Sequence, residues 1–432
     1  MYFPRFLPGK AACGLCMLWV SLSASAVTQI PQPLTLNAAL NWASEYNPTL
    51  RSARLRIQRL GGEAIHADVP VPSNPRLELE AGQRDQPNGS STDIGIQLSQ
   101  EFWIAGQGGL REDAATSRLG AARADYDFLA ATTTARVRAA FLSVLVAEQA
   151  VNTAERVVDT NEQLETYAKK RLNAGAGTRI ESNAARLGLQ RARAFAAEAR
   201  DAANQTRLEL KDLLAIDPTR RLAIKGDLSF ALLDMPNRDR LLVRAVERRT
   251  DLQAAASRVI AARKELSLAN REIIPNLTVF GFYREEAGGR DKGGSDITGG
   301  GIGFELPLLD RYEGERQIAT AELAQAQLDQ DNLQREVRLQ VLSAISAYDA
   351  GRERADALSD AVLEAAESSL ELTRRSFAAG KVGATAITSA QNNLFDVRRD
   401  YLDALGALVT AGTDLERATG GLLVMDSRGA SQ

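Results

Sequence analysis

The sequence predicts a mainly α-helical protein with a membrane β-barrel portion, built from two homologous halves that each contain a long coiled-coil helical hairpin and one β-hairpin. Three observations carry this. The 432-residue chain matches itself at an offset of roughly 200 to 207 residues, too long for a solenoid and right for a duplication. Each half contains a proline-free run, Gly106 to Ala174 and Arg311 to Ala379, dominated by Ala, Leu, Glu, Gln and Arg. Each half also carries two alternating segments of about ten residues, the length a tilted strand needs to cross hydrocarbon.

The first residues hold Arg5 and Lys10, then an apolar run from Ala11 to Leu22, then Ala24-Ser25-Ala26. This pattern predicts a secretory signal over 1–26, cleaved after Ala26. The run is too short for a spanning helix. Both cysteines, Cys13 and Cys16, lie inside it, and neither has lipobox neighbours. The mature chain therefore lacks a thiol for disulfide, metal or nucleophilic chemistry.

Each half then opens with a short helical stretch, Leu36 to Leu50 in the first and Leu241 to Leu252 in the second. A Pro-x-Leu step, Pro75-Arg76-Leu77 or Pro275-Asn276-Leu277, ends the helix and begins a strand. Leu77 to Ala81 and Asp93 to Ser99 alternate with period two around a polar loop, Gln83 to Ser91, which predicts a hairpin over about 76–103. The second hairpin, about 276–309, is read as Leu277 to Tyr283, a glycine-rich loop, and Ile297 to Leu308. Its alternation is noisier, because Phe280 and Phe282 fall opposite Leu277 and Val279. Phe102, Trp103 and Tyr283 lie near strand ends, where an interfacial aromatic belt is expected. Four strands cannot close a barrel and would leave open edges, whereas three copies supply twelve.

Each proline-free run spans roughly 100 Å as helix. Val137, Val144, Val151 and Val158 recur at coiled-coil spacing, as do Val341, Tyr348, Ala355 and Val362. Much of the remaining packing face is alanine, which allows close helix approach. Helices return from about Arg179 to Ala215 and from about Ala384 to Thr419, after glycine-bearing turns. The expected organisation is a first repeat over 27–215, an equatorial linker over 216–236, a second repeat over 237–424 and a tail over 425–432.

Composition narrows function. Of 52 basic residues, two fall in the signal, leaving 50 against 55 acidic ones, mixed along the chain, so no nucleic-acid face is expected. The single histidine, His66, excludes imidazole clusters and reads as a surface or core residue rather than a ligand. No apolar run after the signal reaches the length of a spanning helix, so any membrane crossing must be a closed barrel. There is no nucleophile elbow and no usable His or Cys, so no catalytic site and no cofactor are expected.

In order along the chain, several motifs resemble the TolC family of outer-membrane efflux proteins. They are Leu34-Thr35-Leu36 with Ala39-Leu40 and Asn47-Pro48-Thr49-Leu50; Leu306-Pro307-Leu308-Leu309-Asp310; and the two helical turns. The turns run Arg171-Leu172-Asn173-Ala174-Gly175 with Thr178 and Ala185-Arg186, and Ser376-Phe377-Ala378-Ala379-Gly380 with Gly383 and Ala390-Gln391. Within the family, Asn74 to Glu80 and Ser99 to Phe102 are most similar to the heavy-metal, CzcC-like branch.

The resemblance implies a homotrimer with a twelve-stranded barrel in outer-membrane lipid and a twelve-helix tunnel through the periplasm. It further implies a passive exit duct that meets a periplasmic adaptor (membrane fusion protein) and an inner-membrane RND-type pump, exporting heavy-metal cations or, alternatively, drugs or type I secreted proteins. It places Arg171, Gly175, Thr178, Glu181, Phe377, Gly380 and Gly383 at the adaptor-docking tip. Family members commonly carry an Asp just before the Ala-Gln pair, forming a cation-binding ring at the entrance. Here that position is Ser389, followed on the same face by Asn392 and Asn393, and the nearest tip carboxylate is Glu181. Glu181 is therefore either an entrance gate residue or a helix-start residue complementing the dipole. Outside the family, a periplasmic adaptor or a structural coiled coil would also be helix-rich, but neither accounts for two helical hairpins with a duplicated strand pair.

Overall fold

The computed structural model describes residues 30–86, 89–226, 237–286, 294–358, 360–379 and 381–421. The expected signal over 1–26, residues 227–236 of the expected linker, Gly380 and the tail over 425–432 lie outside the described residues, as do 287–293 of the second hairpin's loop.

The duplication is visible element by element. The first half comprises α1 (Leu36–Tyr46), α2 (Pro48–Ala67), β1 (Arg76–Gln86), β2 (Gly89–Phe102), α3 (Gln107–Asn173) and α4 (Arg179–Leu213). The second comprises α5 (Arg238–Arg248), α6 (Thr250–Arg271), β3 (Leu277–Glu286), β4 (Ser295–Gly303), α7 (Glu313–Ala357), α8 (Asp360–Ala378) and α9 (Ala384–Ala418). Asn47 separates α1 from α2. Its side chain accepts from the Thr49 and Leu50 amides, and Pro48 follows at the first helical position, where no amide is needed.

The second long helix is not continuous, as the sequence suggests, but ends at Ala357 and resumes at Asp360. Leu358, the last residue before the break, has φ −97° and ψ +24°, away from helical values, and Ser359 lies outside the described residues. The heptad series is therefore not carried through. Val341, Tyr348 and Ala355 are buried, whereas Val362, beyond the break, is 36% exposed. On the uninterrupted α3, Val137 and Val144 are fully buried and Val151 and Val158 half-buried.

One antiparallel sheet, ordered β1-β2-β3-β4, joins the halves through β2 and β3, with Leu98 opposite Gly281. Pairing in the first hairpin continues to Gln86 opposite Gly89, so most of the expected loop Gln83 to Ser91 is strand. Cross-strand polar contacts hold it, Gln83 Nε2 to Ser90 Oγ at 2.9 Å and Arg84 to Asp93 at 2.6 Å, and polar composition alone concealed it. Conversely β4 ends at Gly303, leaving Phe304 to Leu308 outside the sheet, where Pro307 could not donate to a ladder.

Each half has its own core where short and long helices meet. In the first, Val137, Phe141 and Val144 of α3 pack with Ala39, Ala43, Leu210 and Leu214. In the second, Val341, Ile345 and Tyr348 of α7 pack with Leu241, Ala245, Leu408 and Leu415. Part of the expected linker belongs to the first core: Ile216 and Leu222 are buried in it, and Leu34 bridges Ile224. α3 does contain an 18-residue window apolar enough to span a membrane, contrary to the reading from sequence, yet 44% of that window is buried. It is apolar because it feeds this core. Ion pairs lock the halves together, including Arg138 to Glu416 and Lys264 to Asp113 at 2.6 and 2.7 Å.

Candidate functional site

Two surfaces are candidates for function. The first is the sheet. Because strand side chains alternate, the register puts Leu77, Leu79, Ile94, Ile96, Leu98, Val279, Tyr283 and Ile302 on one face. All are exposed, Leu79 at 72% and Ile302 at 66%, so this face carries an apolar band that is uncovered in the single chain, with Gln83, Asp85, Glu285 and Asp296 of the same face lying beyond it toward the hairpin loops. Phe102, 39% exposed, belongs to the same face.

The opposite face is charged. Arg84 of β1 pairs with Asp93 and reaches across β2 to Glu286 of β3 at 3.2 Å. Reciprocally, Arg284 of β3 reaches Glu80 of β1 at 3.4 Å. Phe280 and Phe282 share this face, and the structure supplies the reason for the irregular alternation. Their rings lie over Gly301 and Gly299, where an added Cβ would stand 2.8 and 2.6 Å from ring carbons. The glycine run of β4 is thus a seat for two aromatic rings, which cover backbone that no side chain shields. Trp103 leaves the sheet altogether: its ring packs on Gly108 and lies 5.3 Å below the Arg111 guanidinium at the start of α3.

The second surface is the far end of the helices, roughly 100 Å away by the length of α3. α3 ends in a Schellman turn: Gly175 has φ +69°, its amide bonds the Leu172 carbonyl at 3.0 Å, and the Ala176 amide bonds that of Arg171 at 2.9 Å. The second hairpin makes the matching bond, Lys381 amide to Ser376 carbonyl at 2.9 Å, around Gly380, itself outside the described residues. Thr178 caps α4 in a capping box. Its hydroxyl accepts from the Glu181 amide at 3.1 Å, and the Glu181 carboxylate accepts from the Thr178 amide at 3.0 Å. The equivalent cap of α9, Gly383, has no side chain to do this.

The structure brings Arg171, Glu181 and Phe377 together around a cleft of about 40 Å³ between the two hairpins, with Tyr167, Ile180 and Thr385. Arg171 lies 5.2 Å over the Phe377 ring, Tyr167 meets that ring edge-on at 5.6 Å, and Arg171 also donates to the Ala176 carbonyl at 2.7 Å. Ser389 and Asn392 are exposed on α9, outside that cleft. His66 is exposed near the end of α2.

One feature escaped the reading from sequence. Arg193, Arg200 and Arg207 of α4 pair with Glu162, Glu155 and Glu148 of α3 at 2.8, 2.9 and 2.7 Å, an ion-pair ladder with seven-residue rungs. The signal was available, since Arg179, Arg186, Arg193, Arg200 and Arg207 recur every seventh residue. A search for apolar heptads does not register it.

The chain matches the family described as "Outer membrane efflux protein" over residues 39–215 and 241–421. It is 26% identical over 420 residues to the cobalt-zinc-cadmium resistance protein CzcC of Cupriavidus metallidurans, covering 96% of each chain. Its fold is similar to that of a membrane protein from Pseudomonas aeruginosa, with a TM-score of 0.76 at 21% identity, covering 89% of this chain and 93% of that one. It is also similar to the CmeC outer membrane channel of Campylobacter jejuni, with a TM-score of 0.75 at 15% identity over 89% and 85% of the two chains. With an apolar-faced sheet at one end, a long helical body and the family match across both halves, this chain belongs to the outer membrane efflux protein family, as an outer-membrane channel that reaches into the periplasm and is a transport duct rather than an enzyme.

Proposed function

We propose that three copies of this chain close a twelve-stranded barrel and a twelve-helix tunnel, forming the passive exit duct of a tripartite system for heavy-metal cations. The observation that carries the assembly is the sheet: four strands with one uncovered apolar face and two open edges, β1 and β4. Open edges and a bare apolar face are both resolved by closure in lipid. The heavy-metal assignment rests on the likeness to CzcC over the whole chain.

The helical end is the docking end for a periplasmic adaptor coupled to an RND-type pump. Arg171, Gly175, Thr178, Glu181, Phe377 and Gly383 form its tip, to which the sequence motif adds Gly380, and the energy comes from the pump. Ser389 and Asn392 leave the expected entrance ring uncharged.

Deleting the gene in its native host tests the substrate. Sensitivity to zinc, cobalt or cadmium, restored by the plasmid-borne gene, is the expected result; unchanged metal tolerance with raised drug sensitivity makes it a drug duct. Gly175→Val tests the tip, because a β-branched residue at φ +69° costs on the order of 1 kcal/mol or more. Heat-modifiable trimers persist and export falls.

A further inference from the structure

We infer that the periplasmic end of this channel recognises a partner α-helix bearing acidic side chains seven residues apart beside an apolar seam. The inference rests on the reading of that end as the docking end. It starts from where the ion-pair ladder stops. Three rungs join α3 to α4, but by the same spacing the next residue of α3 is Lys169, opposite Arg186, and Lys169 turns instead to Glu165 of its own helix at 2.5 Å. The arginine stripe runs on without acids: Arg186 and Arg179 are exposed and have no ion-pair partner among the described residues.

A second, independent feature lies beside them. Ile180 and Leu187, each one residue after an unpaired arginine, are 81% and 61% exposed. Two apolar residues seven apart, flanked by two cations seven apart, reproduce one side of a coiled-coil seam with its charged edge. The complementary surface is a helix with an apolar stripe and carboxylates at the same spacing. An extended peptide does not match that period, and a bare anion would leave Ile180 and Leu187 uncovered.

A second copy of this chain is the competing occupant. It offers Glu371 on α8, but that carboxylate is engaged by Arg375 at 3.0 Å. The turn of the other hairpin carries Lys381 and no acid from Phe377 to Gln391. The carboxylate of Glu181 is held in its capping box. Around the two helical turns the described residues thus offer no uncommitted acid for Arg179, and the charge complement comes from another protein.

The test uses the detergent-purified full-length protein and three fluorescent helical peptides of about four heptads. One carries glutamates every seventh residue beside a leucine seam; one has the same composition with glutamates every fifth residue; one has glutamine for glutamate. Exposed ion pairs are individually weak, so the seven-spaced peptide should bind about fivefold more tightly than either control. R179E/R186E should remove that preference, whereas R191E, an exposed arginine off the stripe, should keep it. Equal binding of the two glutamate spacings, or a preference that survives R179E/R186E, overturns the inference. So does failure of all three peptides to bind, which is the result if a second copy already covers the stripe. In cells, a photo-crosslinker at Leu187 separates this from the docking reading. A crosslink to the adaptor that R179E/R186E leaves unchanged keeps docking and removes the ladder. No crosslink in the wild type, with the peptide preference intact, removes docking at this end and keeps the recognition chemistry.

Discussion

The buried guanidinium of Arg249 donates to the last carbonyl of α9, Ala418, at 2.8 Å, and Asn47 does the same for α4 in the other half, donating to Leu213 at 2.8 Å. Both residues sit between the two short helices of their repeat, so one position performs one task twice with different chemistry. Helix-end carbonyls lack intrahelical partners and cost free energy when buried without donors.

Arg249 is 3% exposed and also forms a two-point ion pair with Asp251, at 2.6 and 3.0 Å, while stacking over Phe128 at 4.8 Å. Arg249→Met leaves Asp251 without its guanidinium partner, with only the Leu252 amide donating to it, and Ala418 without its donor, and should cost about 3 kcal/mol or more. Asn47→Ala removes a cap and a neutral bond and should cost about 1–2 kcal/mol. Denaturant unfolding followed by circular dichroism gives both numbers; equal losses would refute the distinction.

The two repeats end differently. Ala215 takes φ +52° where the second repeat has Gly420 at φ +67°, and both residues make the same amide bond to the carbonyl three residues back. An alanine in that region is strained, so Ala215→Gly should stabilise by about 1 kcal/mol. Gly420→Ala should destabilise by more than Ala215→Gly gains, since its Cβ would also stand 3.1 Å from Arg249 Cγ. Thermal scans of the two variants should move in opposite directions.

Neighbouring residues on β1 should respond oppositely to the same change. Leu79→Arg puts a charge on the apolar face and should cost about 2–4 kcal/mol in lipid, depleting protein from outer-membrane fractions. Glu78→Arg lies on the charged face beside Arg76 and should leave the fractions normal. If both variants are lost, or neither, the assignment of faces is wrong.

Glu181 is held in its capping box, and Ser389 and Asn392 are uncharged. The single-channel conductance of the wild type should therefore be indifferent to divalent cations added from the periplasmic side of a planar bilayer, and Glu181→Gln should not change that. Ser389→Asp should introduce a block, because three carboxylates in one ring favour a bound cation. A block in the wild type that Glu181→Gln abolishes would make Glu181 the gate.

Glu265 on α6 supplies a pH dependence. Burial raises its carboxyl above the ordinary value, with Arg118 acting against the shift and Glu322 adding to it. A raised acid favours its neutral form in the folded state, so its stabilising contribution is present at low pH and lost as pH rises through the raised value. The melting temperature of Glu265→Gln minus that of the wild type should therefore be larger at about pH 7.5 than at about pH 5. A difference that is flat with pH would remove Glu265 as the source.

Local chemistry, repeated at a fixed offset, wrote most of the fold into the sequence. The duplication, the strand pairs, the long α3, the glycine turn at Gly175 and the family motifs are all patterns along the chain, set by propensity and periodicity. Glu181 remained ambiguous there, because a helix-start carboxylate and a pore carboxylate look alike until its partner is known. What the tertiary structure decided depends on residues far apart in sequence. It put Phe280 and Phe282 over Gly301 and Gly299, carried β1 through the polar segment Gln83 to Gln86, and matched three arginines of α4 to three glutamates of α3 while leaving Arg186 and Arg179 without an ion-pair partner among the described residues. Each is a pairing between segments, and a pairing has no energy until the chain has folded both partners into reach.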